Sequence, residues 1–319
     1  IILMKSKITI CLATYNGAPF LQRQLDSLRL QTYFIDEIII CDDCSQDNTY
    51  SILSEYIAQY DLKNWQLFSN TERLGYAKNF YQLLSKSSGD YIFLCDQDDL
   101  WFAQKVERII EFFESDTNIQ CINTAFRCID ENDRLIDDTF SFLSIHCMPK
   151  ELVKISFEYI LRSNIAMGCT MAFRKEIKDI YIQMSSKIAA HDWELNTIAA
   201  LCDGLYYLNE ELLGYRLHSN NTTGIDKFSK KILWYEKRRK NAVEMNKFIS
   251  SLEAYKQLMG SNQIKVLQSK TLFYQKRLEL VTYKKVKNWF WLIRHINIYH
   301  QIVSFKGMIL DLFCGFVFK

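Results

Sequence analysis

Apolar and polar positions alternate in blocks along the first two-thirds of the chain. Residues 8–13 form a short apolar run rich in β-branched side chains, which predicts a buried strand. An amphipathic pattern follows from Pro19 to about Gln31, with proline at a first-turn position that a helix tolerates. Residues 37–41 predict a second buried strand, and Ser45 or Asp47 is placed to cap a helix that continues to about Tyr60. Further on, residues 65–68 predict a strand, 76–87 a helix, 90–95 a fourth strand, 102–114 a helix and 119–128 a fifth strand. Gly168 to Arg174 reads as a strand after a tight turn, and a helical stretch through Leu201 follows Ala190. Strands alternating with helices over short loops predict an α/β fold, with a mostly parallel sheet covered by helices on both faces. Ligands of such sheets bind beyond the carboxyl ends of the strands.

Three of those ends carry polar, turn-forming residues. Thr14-Tyr15-Asn16-Gly17 follows the first strand, Asp42-Asp43-Cys44-Ser45-Gln46-Asp47-Asn48-Thr49 the second, and Asp96-Gln97-Asp98-Asp99 the fourth. Turn chemistry alone accounts for much of the first loop. It accounts poorly for the last, where three carboxylates crowd into four residues and no Lys or Arg lies between Asp90 and Lys105. Like charges this close raise one another's pKa unless a cation is present. Asp96 and Asp98, two apart at a strand tip, can both reach one divalent ion. Oxygen ligands favour Mg²⁺ or Mn²⁺ with positions left open for substrate phosphates. Asp99 has a second reading, as an acid complementing the dipole of the following helix. Neither G-x-x-x-x-G-K-[ST] nor G-x-G-x-x-G occurs, which argues against a P-loop or a dinucleotide site.

Composition adds an ample core: 319 residues, 49% hydrophobic and 14% aromatic, enough for two domains or one large one with an appendage, and unlike a disordered or fibrous chain. The net charge of +2 hides an asymmetry. Residues 226–319 hold 19 Lys and Arg against 6 Asp and Glu, leaving 20 against 31 for residues 1–225. That shift divides the chain into a first domain, 1–225, and a basic C-terminal region, 226–319. Residues 227–304 read as helices with Lys and Arg on one side and apolar and aromatic residues on the other, followed by a short apolar stretch, 307–319. Basic amphipathic helices suit an anionic membrane surface. The alternatives are packing on the first domain or on another subunit, and binding of nucleic acid, which is disfavoured because no recognised module is present. No window approaches the ~18 apolar residues of a transmembrane helix, and the first residues are too short for a signal peptide. Ten cysteines scattered through apolar runs, with Cys41 and Cys44 the one C-x-x-C spacing, fit buried reduced thiols in a cytosolic protein.

Four stretches, 10–17, 40–49, Asn70-Thr71-Glu72-Arg73-Leu74-Gly75-Tyr76-Ala77-Lys78-Asn79, and Tyr91 to Trp101, together resemble family 2 glycosyltransferases of the GT-A fold. Within that family the similarity is to rhamnosyltransferase-like members that build bacterial surface polysaccharides, over roughly residues 7–220. The resemblance implies a GT-A type, Rossmann-like sheet and metal-dependent, inverting transfer of a sugar. The donor would be a nucleoside diphosphate sugar, dTDP-rhamnose or a UDP-hexose. The acceptor would be a saccharide or lipid-linked saccharide, and the cofactor Mn²⁺ or Mg²⁺. It implies that Thr14, Tyr15 and Asn16 line the base and ribose, that Asp42 or Asp43 grips the base or ribose, and that Arg73 and Lys78 touch the base or diphosphate. Asp96 and Asp98 match the D-x-D pair that handles ribose and metal. His218, within Tyr215 to Asn221, completes the metal shell or touches the diphosphate. Asp192 matches the general base, although on its own it reads equally as a helix cap. Gly168 lies in the segment beside the donor sugar. Cys44 departs from the family's usual glycine, which asks for a negative φ or tolerated strain there. The implied location is cytoplasmic, peripheral on the inner face of the membrane, with the C-terminal helices as a candidate self-association surface. Two other classes compete. A phosphotransferase or phosphatase with an Asp-x-Asp nucleophile is disfavoured because the pair follows the fourth strand and no Thr stands two residues past Asp98. A non-catalytic sugar-nucleotide-binding scaffold is the other.

Overall fold

The computed structural model describes residues 6–136, 150–185, 190–219, 221, 234–302 and 305–316. In chain order they form β1 (Ile8–Thr14), α1 (Ala18–Arg29), β2 (Glu37–Asp42), α2 (Thr49–Gln59), β3 (Trp65–Ser69), α3 (Tyr76–Lys86), β4 (Tyr91–Asp96), β5 (Leu100–Trp101), α4 (Lys105–Ser115), β6 (Cys121–Ile129), β7 (Leu152–Lys154) and α5 (Phe157–Ile160). A 3₁₀ turn at Gly168–Thr170 leads into β8 (Met171–Arg174), α6 (Lys175–Met184), α7 (His191–Leu201) and β9 (Leu205–Arg216). The C-terminal helices are α8 (Trp234–Ser251), α9 (Ser261–Val281), α10 (Lys287–Arg294), α11 (Ile296–Ile302) and α12 (Phe305–Phe316).

Among the described residues the sheet has nine strands in the order β3-β2-β1-β4-β8-β6-β9-β5, with β7 on β9. β1, β2, β3, β4, β6 and β9 share one direction, so the sheet is mostly parallel, as expected. The central strands are buried on both faces and sort their side chains with a period of two. Ile8, Ile10 and Leu12 of β1 join a core with α1, α2 and α4, whereas Cys11 joins the opposite core. The same split holds for Ile38 and Ile40 against Ile39 in β2, and for Phe93 against Ile92 and Leu94 in β4. The second core is shared by α3, α6, α7 and the C-terminal helices. Helices therefore cover both faces.

Several boundaries differ from the sequence reading. Residues 102–104 are not helical; α4 starts at Lys105, because Leu100 and Trp101 first pair with Leu213 and Gly214 of β9. Asp99 thus does not complement a helix N-terminus; it is buried before β5. Neither Ser45 nor Asp47 is the N-cap of α2, which starts after Asn48. Asp47 Oδ1 instead accepts from the Thr49 amide (3.0 Å), and Ser45 turns to Asp42. The strand read at 119–128 begins at Cys121. β9 escaped the pattern because its polar middle, Asn209-Glu210-Glu211, coincides with shifts in its register on β6.

The division near residue 225 lies outside the described residues, as do Asn220, residues 222–233 and 317–319. The C-terminal helices pack onto α7 and its surroundings. Trp193 stacks on Phe248 of α8 at 3.8 Å, the Tyr255 hydroxyl donates to Glu194 (3.0 Å), and the Tyr274 hydroxyl donates to the Leu161 carbonyl (3.1 Å). No helix among the described residues is long and apolar enough to cross a membrane. The cysteines described are unpaired thiols, most of them buried.

Candidate active site

The carboxyl ends of β1, β2 and β4 converge on one polar rim. Thr14 donates its hydroxyl to Asp42 (2.9 Å), and Asp42 also accepts from the Ser45 amide and hydroxyl (2.9 and 2.6 Å). This small network fixes the turn after β2, in which Cys44 adopts φ 64°. The strain foreseen at Cys44 is therefore real, and those hydrogen bonds hold it in place. Asn16, at φ 49°, is tied to the same turn: its amide donates to Ser45 Oγ and its side chain accepts from the Gln46 amide, both at 2.8 Å.

Asp43 is buried and accepts from the Leu74 amide (2.8 Å), the Gly75 amide (2.7 Å) and Asn70 Nδ2 (2.8 Å). It thereby anchors the loop before α3 and carries Arg73 to the Tyr15 ring, where the guanidinium lies 3.9 Å from the ring centroid. Lys78, by contrast, stands exposed on α3. The Tyr15 backbone is clamped from the other side by Gln97, which accepts from its amide (2.7 Å) and donates to its carbonyl (2.8 Å). Gly17 allows that clamp: a Cβ there would lie 2.1 Å from Gln97 Oε1.

The acidic run after β4 splits into two groups. Asp96, Asp99 and Cys169 bring their ligand atoms within 4.8 Å of one another. Asp98 faces His218, with its Oδ2 2.8 Å from Nε2. Burial, then the charges of Asp98 and Asp192, pushes Asp96 up to about 7. Burial and the charges of Asp98 and Asp96 hold Asp99 well above the usual carboxylate range, and its Oδ2 has no hydrogen-bond partner. Beneath them lies Lys105, fully buried, donating to the Cys169 carbonyl (2.5 Å) and 3.9 Å from the Trp101 ring centroid. Burial lowers Lys105 to about 8, opposed by the charges of Cys169, Cys95, Asp99 and Asp96. Arg216, also fully buried, donates to the Asp98 carbonyl (2.7 Å) and the Asp130 carbonyl (2.8 Å), holding the acidic turn against the 130–133 loop.

Asp192 stands in the first turn of α7, after its N-cap Ala190, so it is not the cap. Its carboxylate accepts from Asn164 Nδ2 (2.9 Å) and from the Trp193 amide (2.8 Å). Burial raises it to about 6. Next to it His191 is buried and stacked on Phe80 at 4.2 Å; burial lowers it to about 3, so the ring is neutral. Its Nε2 would lie 3.1 Å from a Cβ on Gly168, so a side chain there would crowd the imidazole where the segment before β8 approaches α7.

Tyr15, Arg73 and Asp43 are thus joined, as are Thr14 with Asp42 and Asp98 with His218. Asp192 reaches the acidic group through its field on Asp96 rather than by contact. Gln97, Lys105, Asn164 and Arg216 were missed. Gln97 sits inside the acidic motif, between Asp96 and Asp98. Lys105 is the first cation after it, which is the one available signal for an internal counter-charge. Asn164 and Arg216 carry no local signal; only the packing of α7 and β9 reveals them.

The chain aligns with a dTDP-rhamnosyl transferase, RfbG, of Shigella flexneri at 29% identity over 225 residues, 67% of this chain and 73% of that protein. Among solved structures, S. aureus TarS matches over 86% of this chain but 55% of its own, at TM-score 0.52 and 15% identity. Its 1–349 fragment in complex with UDP-GlcNAc matches over 86% of this chain and 90% of its own length, at TM-score 0.54 and 16% identity. The mannosyltransferase PcManGT from Pyrobaculum calidifontis, in complex with GDP-Man and Mn²⁺, matches over 98% of this chain and 86% of its own, at TM-score 0.52 and 16% identity. These neighbours are GT-A glycosyltransferases, and the fold is theirs. The profile of Glycosyl transferase family 2 matches residues 9–180, more than half of the sequence, and the chain belongs to that family.

Proposed function

We propose that this protein is a metal-dependent, inverting glycosyltransferase of bacterial surface polysaccharide assembly. It moves a hexose, rhamnose before other sugars, from a nucleoside diphosphate donor to a saccharide or lipid-linked saccharide. Residues 1–225 form the catalytic part. The basic region 226–319 brings it to the cytoplasmic face of an anionic membrane. The observation that carries this reading is the convergence of the Tyr15–Arg73–Asp43 cluster, the acidic turn after β4 and Asp192 on one rim. The Tyr15 ring and Arg73 offer a nucleobase a flat, cationic platform. The acidic turn fits a hard divalent cation: its donors are mainly carboxylates with one imidazole, and a buried oxygen of Asp99 lacks a partner. Asp96, Asp98 and His218 would hold it, the ion joining the Asp98–His218 pair to the group of Asp96 and Asp99, with Cys169 a poorer ligand for such an ion. When bound there, Mn²⁺ or Mg²⁺ would supply positive charge to offset that of the departing diphosphate.

Asp192 accepts the proton of the acceptor hydroxyl as that oxygen bonds to the anomeric carbon and the diphosphate leaves from the opposite face. A raised carboxylate is a stronger base than a free one, and Asn164 fixes its direction. The test is a donor panel with Mn²⁺, run on wild type and Asp192→Asn. Transfer or slow hydrolysis of dTDP-rhamnose by wild type is expected, with turnover lost by about 10²–10⁴-fold in the variant and donor affinity kept. Turnover retained by the variant rejects the base. Loss of donor binding makes Asp192 structural, and no reaction with any donor favours the scaffold alternative.

A further inference from the structure

Helix α12 departs from a helix that covers a core in water: its inner side holds a carboxylate beside the buried Met308 and Cys314, and its outer side is apolar. Its one acid, Asp311, is fully buried and accepts from Arg238 Nε (2.7 Å), Arg277 Nε (2.9 Å) and the Tyr299 hydroxyl (2.9 Å). That network fixes which side of α12 faces inward. The outward side presents Phe305, Ile309 and Phe313, spaced four apart and 64, 40 and 49% exposed. An amphipathic helix on a water-facing surface places its apolar stripe inside and its charges outside. Helix α10, which packs on α9 as α12 does, exposes Lys287, Phe290 (62%) and Arg294, spaced three and four apart, and Lys306 is exposed at the start of α12. The surrounding sequence, 226–319, carries a net charge of +13.

We propose that the outward side of α12, with the basic flank of α10, docks on an anionic lipid bilayer, α12 lying in the plane of the interface. This rests on the membrane-facing part of the proposed function and names its surface. Charge complementarity selects the occupant: aromatic and aliphatic side chains enter the acyl boundary while lysine and arginine meet anionic headgroups. A second copy of this chain would set two strongly positive surfaces against each other.

The test floats the full chain with vesicles of mixed phosphatidylglycerol and phosphatidylcholine, and of phosphatidylcholine alone, at low and high salt. Wild type is expected on the anionic vesicles and released by salt. The triple variant Phe305→Ser, Ile309→Ser, Phe313→Ser is expected to partition at least about tenfold less. Lys287→Glu, Arg294→Glu, Lys306→Glu is expected to lose the preference for anionic lipid. Ile309→Glu alone replaces the triple variant should that fail to fold by circular dichroism. Unchanged flotation of the stripe variant overturns the proposal. So does a wild-type dimer in sedimentation that the stripe variant abolishes without any lipid binding. Donor hydrolysis is measured in solution alongside. Its absence with flotation intact rejects the glycosyltransferase reading and supports the docking face independently.

Discussion

Asp192 holds a costly ionised state. Its folded pKa of about 6 lies above the usual carboxylate value, and the cause is burial. The penalty on the folded state is therefore absent below about pH 4, grows as pH rises through 6, and is complete above it. Allowing for partial exposure it is of order 1–2 kcal/mol. Asp192→Asn should raise the melting temperature by about 2–4 °C at pH 7.5 and leave it unchanged at pH 4; a lower melting point at pH 7.5 contradicts this account. The catalytic counterpart runs in the same window. With Asp192 as the proposed base, which must be deprotonated, kcat/KM of the wild type should fall about tenfold per pH unit below 6 with one-proton steepness, and a profile flat to pH 5 would exclude Asp192 from proton transfer. Asp96 and Asp98 stand out in the sequence because carboxylates crowd a strand end with no Lys or Arg between Asp90 and Lys105, whereas Asp192 is singled out only by the family resemblance. Lys105 does not stand out: a lysine opening an amphipathic helix reads as solvent-facing, and its burial under the acids depends on β5 lifting the helix start clear of Asp99.

Among the elements, the strands buried on both faces were the easiest to read, since β1, β2 and β4 are continuous apolar runs. β5 is two residues long and β9 changes register midway, so neither has a periodic signature. The decisive element for the site is α7, whose second to fourth residues do three different jobs. Asp192 faces the rim, Trp193 stacks on α8, and Glu194 is buried beneath Tyr255. Tyr255→Phe removes one donor from a fully buried carboxylate, which should cost about 1–3 kcal/mol. The denaturation midpoint should drop accordingly, and kcat should fall several-fold with donor KM unchanged as the first turn of α7 loosens. An unchanged midpoint means that the hydroxyl does not support the helix.

The whole molecule joins an acidic first part to a basic C-terminal part through one continuous apolar core that runs from Cys11 to Cys314. Division by charge is visible in the sequence, but this shared core is not, because Trp193, Phe248 and Tyr274 meet their partners only once the chain has folded. Calorimetry should accordingly give a single cooperative transition across the full chain; two separated transitions would show that the C-terminal helices fold as an independent unit. The stack of Trp193 on Phe248 has a mechanical meaning as well. Under the proposed function it would make the tail a jig for the reacting oxygen: whatever the last helices rest against would become the bench to which the proposed base, Asp192, is squared. In the proposed reaction, a sugar chain tethered to that same bench would meet the carboxylate already in alignment, whereas one drifting free would have to find its angle by chance.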